Sequence, residues 1–92
     1  MKEQELEEIL EQVEVEELSN LIIYNDDIND YRYVIFLLET ICELTPIRAE
    51  QCTLISHHTG KCHVRKGSKS DMTDMMNKLM DNGLGASVES GS

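Results

Sequence analysis

The hydrophobic positions from residue 21 onwards change spacing along the chain, and each change marks an element. Residues 21–24 (LIIY) form a short run rich in β-branched and aromatic residues, which is typical of a strand. A polar loop over residues 25–30 follows, and Asp30 is placed to cap a helix. Beyond it the apolar residues recur every three or four positions, which predicts a helix with one buried face. We expect that face to hold Tyr31, Val34, Ile35, Leu38, Ile41 and Cys42.

A second helix is predicted to begin at Thr45 and Pro46. Threonine is a favourable N-cap and proline suits the first helical position, where its missing N–H costs nothing. Gly60 is predicted to end this helix in a left-handed conformation. The apolar members of the helix include Ile47, Cys52 and Ile55.

The remaining chain predicts a strand, a helix and a strand. In residues 61–66, Cys62 and Val64 alternate with basic residues and a histidine, as in an edge strand. Gly67 and Ser68 are expected to turn the chain into a third helix, which Gly83 stops. A stripe on this helix reads as core packing rather than a binding surface: Met72, Met75, Met76, Leu79 and Met80. Residues 86–89 predict the last strand, so the order is β-α-α-β-α-β, in two layers.

The charge is uneven along the chain and excludes some classes of partner. The 92 residues carry 18 acidic and 8 basic side chains, a net charge of −10, which argues against nucleic acid and anionic membranes as ligands. Residues 1–18 hold eight Glu and one Lys, a net charge of −7. We therefore predict a mobile, partly helical acidic arm over residues 1–18 and a core domain over residues 19–92. The alternative is a plain solubilising tail.

The start of the chain resembles no targeting segment. It lacks the basic start and long apolar run of a signal peptide, and no apolar stretch approaches the ~20 residues of a membrane span. We expect a cytoplasmic monomer whose three cysteines are reduced.

Two polar clusters are candidates for chemistry. Asn25, Asp26 and Asp27 lie directly after a strand, where carboxylate and amide oxygens suit a cationic group; the alternative is an ordinary turn. His57 and His58 lie at the predicted end of the second helix, where a neutral imidazole can accept a hydrogen bond or simply interact with the helix dipole.

Catalysis and metal binding find little support. The cysteines and histidines of residues 52–63 have irregular spacing without a CxxC pair, unlike structural zinc sites. There is neither a nucleophile-elbow serine nor a glycine-rich phosphate loop. We expect a protein that is not an enzyme and needs no metal or cofactor.

Several of these residues together resemble a known family. Residues 21–27 (LIIYNDD), then Tyr33-Val34-Ile35, then His57 with Gly60-Lys61 resemble ClpS, the Clp protease adaptor that recognises N-end-rule degradation signals. The resemblance covers about residues 20–89. It implies an α+β fold in which three helices pack on one face of a three-stranded antiparallel sheet, similar to the C-terminal domain of the ribosomal stalk protein.

The resemblance also implies roles for particular residues. Asn25, Asp27 and His57 match the positions that hold the α-amino group of a substrate's first residue. The pocket for its bulky hydrophobic side chain would be lined by Tyr31, Val34, Thr53, Ser56 and Leu84. The implied partners are N-degron substrate proteins and a Clp-family AAA+ unfoldase, and the acidic arm lies where the family has its flexible extension.

The chain also departs from the family's pattern. Asn29-Asp30-Tyr31 stands where the family usually has Thr-Pro-Met, Thr53 and Ser56 are more polar than the usual residues, and the stretch before the third helix is shorter. Two alternatives stay open. One is a non-catalytic protein-interaction module of the stalk-protein type without recognition of an N-terminal amine; the other is a small metal-binding protein.

Overall fold

The core elements follow the predicted order, with one further helix before them. The structure is a computed structural model that describes residues 2–12 and 18–91, residues 8–12 by their backbone alone. Its elements are α1 (Glu3–Gln12), β1 (Leu18–Tyr24), α2 (Tyr31–Thr40), α3 (Pro46–Thr59), β2 (Lys61–Ser68), α4 (Lys69–Asp81) and β3 (Ala86–Ser90). The expected arm is helical over Glu3–Gln12, while its residues 13–17 lie outside the described residues. Leu18, assigned to the arm from the sequence, is the first residue of β1.

The three strands form one antiparallel sheet in the order β2-β1-β3. Strand β1 is central: Leu18 lies opposite Ser68 and Tyr24 opposite Lys61 on one side, while Ile23 lies opposite Ala86 on the other. Helices α3 and α4 pack on the sheet, and α2 packs against α3. The predicted α+β fold is confirmed.

The core lies between the sheet and the helices. Because side chains alternate along a strand, Leu21 and Ile23 of β1 point to the same face of the sheet and are fully buried. They meet the inner faces of the three helices, whose largest fully buried side chains are Leu38, Cys52, Met72 and Leu79. Burying an apolar side chain of this size contributes about 1.5–3 kcal/mol. Because a one-residue slip of β1 would turn these side chains to the other face, their burial fixes the sheet register on which the neighbouring loops depend.

The predicted helix ends are confirmed. The Asp30 side chain accepts from Arg32 N at 3.0 Å, and the Thr45 side chain accepts from Arg48 N at 3.3 Å. Gly60 caps α3 with φ +97°, a conformation that glycine adopts without a steric cost. Both ends of α3 are therefore set by local sequence.

The buried face of α3 is formed by small side chains rather than by its isoleucines. Ile47 is 71% exposed and Ile55 is also exposed, while the buried residues of the helix are Ala49, Cys52, Thr53 and Ser56. Through these small and hydroxyl-bearing side chains α3 packs against α2 and the sheet. Large apolar residues alone therefore do not mark the buried face of this helix.

Smaller corrections concern one turn and the exposure of two side chains. Gly67 and Ser68 do not turn the chain; they remain in β2, and Ser68 caps α4 by accepting from Asp71 N at 3.2 Å. Met80 is exposed because Leu79 takes the buried position beside it. Tyr31, expected on the buried face of α2, is exposed at its first turn.

Candidate functional site

Backbone hydrogen bonds connect the end of β1 to two other segments of the chain. Tyr24 N donates to Gly85 O at 3.1 Å, and Asn25 N donates to Gly60 O at 2.8 Å. The first bond joins the strand to the segment before β3, and the second joins it to the cap of α3. The polar loop 25–30 thus starts beside the last turn of α3, which carries His57.

Asp26 organises the loop from inside. Its carboxylate accepts from Ile28 N at 2.8 Å and Asn29 N at 3.1 Å, and also from the Asn29 side-chain amide. Slight burial would raise the pKa of Asp26, but these three hydrogen bonds outweigh it and hold the pKa below its ordinary value. The carboxylate of Asp26 therefore makes its hydrogen bonds within the loop itself.

Asn25 and Asp27 make fewer hydrogen bonds within the loop than Asp26 does. Their one hydrogen bond to each other, from Asn25 Nδ2 to Asp27 Oδ1, is long at 3.4 Å, and both side chains are exposed. An ionised carboxylate has room for several donors, and the Asn25 amide oxygen is a further acceptor. The sequence grouped residues 25–27 together, whereas the structure separates a loop-building Asp26 from two available neighbours.

A second anchor connects the loop to the turn before β3. The Asn29 amide also donates to Gly83 O at 3.0 Å, and Tyr33 Oη donates to Asn82 O at 2.8 Å. These bonds fix the turn that positions the buried side chain of Leu84. Asn29 was missed at the sequence level because its pattern is that of any turn asparagine.

These segments enclose a cavity of about 210 Å³. All eight residues that the resemblance implied line it: Asn25, Asp27, His57, Tyr31, Val34, Thr53, Ser56 and Leu84. Asp26, which the sequence placed in the polar cluster after the strand, lines it as well, together with Tyr24 and Asn29, which the sequence did not single out as site residues. Val34 and Leu84 are buried apolar walls, Thr53 and Ser56 are buried and polar, and Tyr31 is exposed at the start of α2. Their functional roles stay a prediction.

Tyr24 and His57 border the same cavity from different elements. The Tyr24 hydroxyl forms a 2.7 Å hydrogen bond with Ser87 Oγ of β3, which holds the ring at the end of the sheet. His57 lies in the last turn of α3, with its ring edge-on to that of His58 at 5.4 Å between centroids. Of this pair only His57 lines the cavity.

The cysteines and histidines form no metal cluster in the described residues. Cys52 Sγ and Cys62 Sγ both donate to His63 O, at 3.7 and 3.4 Å, while the His63 ring pairs with Asn20 Oδ1 at 2.7 Å. Within residues 2–12 and 18–91, no three side chains of the kinds that bind metals come close enough to hold an ion. Burial raises the pKa of Cys62 to about 12 and that of Cys42 to about 11, so both remain protonated packing residues.

None of the helices in the described segments combines the length and the apolar character that crossing a membrane requires.

The fold and the site together define a small α+β domain with a cavity at one end of its sheet, rimmed by oxygen acceptors and walled by apolar side chains. The model of the family described as ATP-dependent Clp protease adaptor protein ClpS matches residues 14–87 of the 92. The chain belongs to the ClpS family, and the resemblance found in the sequence is confirmed.

The fold is shared with a solved structure at low sequence identity. The structure of Agrobacterium tumefaciens ClpS2 bound to L-phenylalaninamide superposes with a TM-score of 0.77 at 16% identity, over 82% of this chain and 98% of that one. No curated protein matches the chain.

Proposed function

We propose that this protein binds other proteins by their N-terminal residue and delivers them to a Clp-family AAA+ unfoldase for degradation. The observation that carries the proposal is one cavity that joins acceptors from Asn25, Asp27 and His57 to the apolar walls of Val34 and Leu84. A free N-terminus is an ammonium at neutral pH, because its pKa is close to 8. It offers only donors, so a site built from acceptors suits it.

The division of the cavity matches the two parts of a first residue. Asn25 and Asp27 lie at the end of β1 and His57 in the last turn of α3, where they can contact the α-amino group. The remaining lining residues, Tyr31, Val34, Thr53, Ser56 and Leu84, would surround a bulky hydrophobic side chain. Charge-assisted hydrogen bonds contribute about 1.5–3 kcal/mol each, and burying such a side chain contributes a similar amount. The related ClpS2 was solved with L-phenylalaninamide, which has both an α-amine and an aromatic side chain.

Family membership and the acidic segment that precedes the domain support the adaptor role. Helix α1 starts with Glu3 and Glu5 in its first turn and lies outside the core elements that form the cavity. We assign substrate capture to the core and delivery to this arm. The protein itself then needs neither catalytic residues nor a cofactor.

The test compares a peptide that begins with Phe and the same peptide with an acetylated N-terminus, by fluorescence anisotropy. Acetylation removes the charge, so we expect at least about tenfold weaker binding. His57→Ala should weaken binding of the free peptide, while His58→Ala, on the adjacent residue outside the cavity, should leave it unchanged. Equal binding of the two peptides would refute amine recognition and favour an interaction module of the stalk-protein type.

A further inference from the structure

The cavity contains two buried polar residues that the proposed contacts with an amine do not use. Thr53 and Ser56 are each 4% exposed and line the cavity with Val34 and Leu84. Three residues apart on α3, they share one helix face with His57, which is four residues from Thr53. Burying a polar side chain in a binding cavity is costly unless its hydrogen-bonding groups are satisfied, so the chemistry of these two hydroxyls bears on what the cavity accepts.

Both hydroxyl protons are already engaged. Thr53 Oγ1 donates to Ala49 O at 2.8 Å, and Ser56 Oγ donates to Thr53 O at 2.9 Å. A carbonyl oxygen can only accept, so in each bond the hydroxyl must supply its single proton. The capacity left to each hydroxyl is then its oxygen lone pairs. Towards an occupant of the cavity, Thr53 and Ser56 can act only as acceptors while these bonds persist.

We propose that the cavity selects first residues whose side chain is large, neutral and a hydrogen-bond donor, namely Trp and Tyr over Phe and Leu, and that Thr53 and Ser56 determine this preference. The inference rests on the proposed function. The indole N–H is only a donor and the phenol O–H can donate, whereas Phe and Leu have no donor and would cover the hydroxyl oxygens without a partner. An acceptor left without a donor costs free energy, so a ligand that supplies the donor is favoured.

The remaining walls explain why the donor should be neutral. Val34 and Leu84 are apolar and buried, and the carboxylates of Asp26 and Asp27 belong to the loop after β1 rather than to α3. A Lys or Arg side chain would bring a full charge against apolar walls and two neutral hydroxyls, which is far more costly than an indole or a phenol.

The experiment measures the affinity of peptides with free N-termini that differ only in the first residue. Two pairs isolate the donor: Tyr against Phe and 4-methoxyphenylalanine, and Trp against 3-benzothienylalanine, in which sulfur replaces the indole N–H. One neutral hydrogen bond is worth roughly a three- to tenfold difference in affinity, so we expect Tyr and Trp to bind more tightly by that factor.

Variants then locate the acceptor. In Thr53→Val with Ser56→Ala the advantage of Tyr over Phe should vanish or reverse. Thr40→Val is the matched control, since Thr40 makes the same kind of bond to Phe36 O at 2.8 Å but is exposed on α2, away from the cavity. Thermal melts establish that the double variant folds, and the comparison of Trp with benzothienylalanine on the unmodified chain needs no variant.

The outcomes separate this inference from the proposed function. If Phe binds as tightly as Tyr, and benzothienylalanine as tightly as Trp, while acetylation still weakens binding, donor selection is overturned and amine recognition stands. Retention of the Tyr preference by the double variant would overturn the assignment to Thr53 and Ser56. If no peptide with a free N-terminus binds better than its acetylated form, both proposals fail.

Discussion

Asp26 and Asp27 are neighbours in sequence with opposite surroundings. Three N–H donors surround the Asp26 carboxylate, whereas Asp27 has one long contact with the Asn25 amide. The first arrangement stabilises the loop, and the second leaves acceptors for a ligand. The sequence pattern of two adjacent aspartates could not assign these tasks, because each depends on which way a side chain points.

The lowered pKa of Asp26 predicts loss of stability in acid. A carboxylate whose folded-state pKa lies below its unfolded value stabilises the fold above the unfolded value and ceases to do so as the pH falls through the folded pKa. Asp26→Asn should therefore lower the free energy of unfolding by about 1 kcal/mol at pH 7. The difference from the unmodified chain should shrink below a pH of about 4.

Urea titrations at several pH values measure this effect. Asp27→Asn is the matched control, which should leave stability nearly unchanged at every pH and weaken peptide binding instead. A difference between Asp26→Asn and the unmodified chain that stays constant from neutral pH into acid would contradict the role given to Asp26.

The connection between α2 and α3 shows how a helix end is held by a strand. Arg65 of β2 donates from Nη1 to Cys42 O at 2.9 Å and lies 3.6 Å from Glu43 Oε2. Leu44 N closes the turn on Leu38 O at 3.2 Å. In this turn Glu43 adopts φ +57°, in the left-handed region that residues with a Cβ rarely occupy. The turn therefore positions α3, and with it the cavity, at some conformational cost.

Glu43→Gly should relieve that cost. Glycine adopts a positive φ without steric conflict, and the ion pair it would lose is on the surface and therefore weak. We expect the free energy of unfolding to rise by about 0.5–1 kcal/mol in urea denaturation. Glu43→Ala loses the same ion pair but keeps the Cβ, so it serves as the control and should show no gain. A gain shared by both variants would place the effect in the charge rather than the backbone.

On the scale of the whole molecule, the acidic segment differs from the core in composition, and the start of β1 sets the boundary between them. The strand β1 starts at Leu18, whose carbonyl accepts from Gly91 N at 2.8 Å and whose partner across the sheet is Ser68. A truncation at residue 18 would thus remove part of the central strand. The boundary that respects the sheet lies between residues 17 and 18.

Deletion of residues 1–17 should leave the melting temperature and the peptide affinity unchanged and slow degradation of a bound substrate. The reason is that the cavity is formed by β1, α2, α3, their connecting loop and the turn before β3, whereas delivery is assigned to the arm. Degradation by the cognate Clp protease, measured with a fluorescent substrate bearing a recognised first residue, checks this. Unchanged degradation would make the arm a solubilising tail, and a loss of peptide affinity would place part of the site within it.

Local patterns in the sequence determined the strand and helix order, the caps and the polar loop after β1. Asp30, Thr45 and Gly60 end their helices as predicted, because capping depends on residues within one turn. The resemblance to ClpS named the eight cavity residues, and the structure brings them around one space. Their spacing alone could not have done so, since they come from residues 25–84 of the chain.

Only the tertiary structure decided which face of α3 is buried and which polar groups remain available. Ile47 and Ile55 are exposed while Thr53 and Ser56 are buried, because α3 packs against α2 and the sheet through its small side chains. The bonds that occupy the two hydroxyl protons and the Asp26 carboxylate join residues two to four positions apart, but only the fold shows which of the remaining acceptors line the cavity. Propensity and periodicity act along the chain, whereas the hydrogen-bonding capacity left for a ligand depends on which partners the folded chain has already supplied.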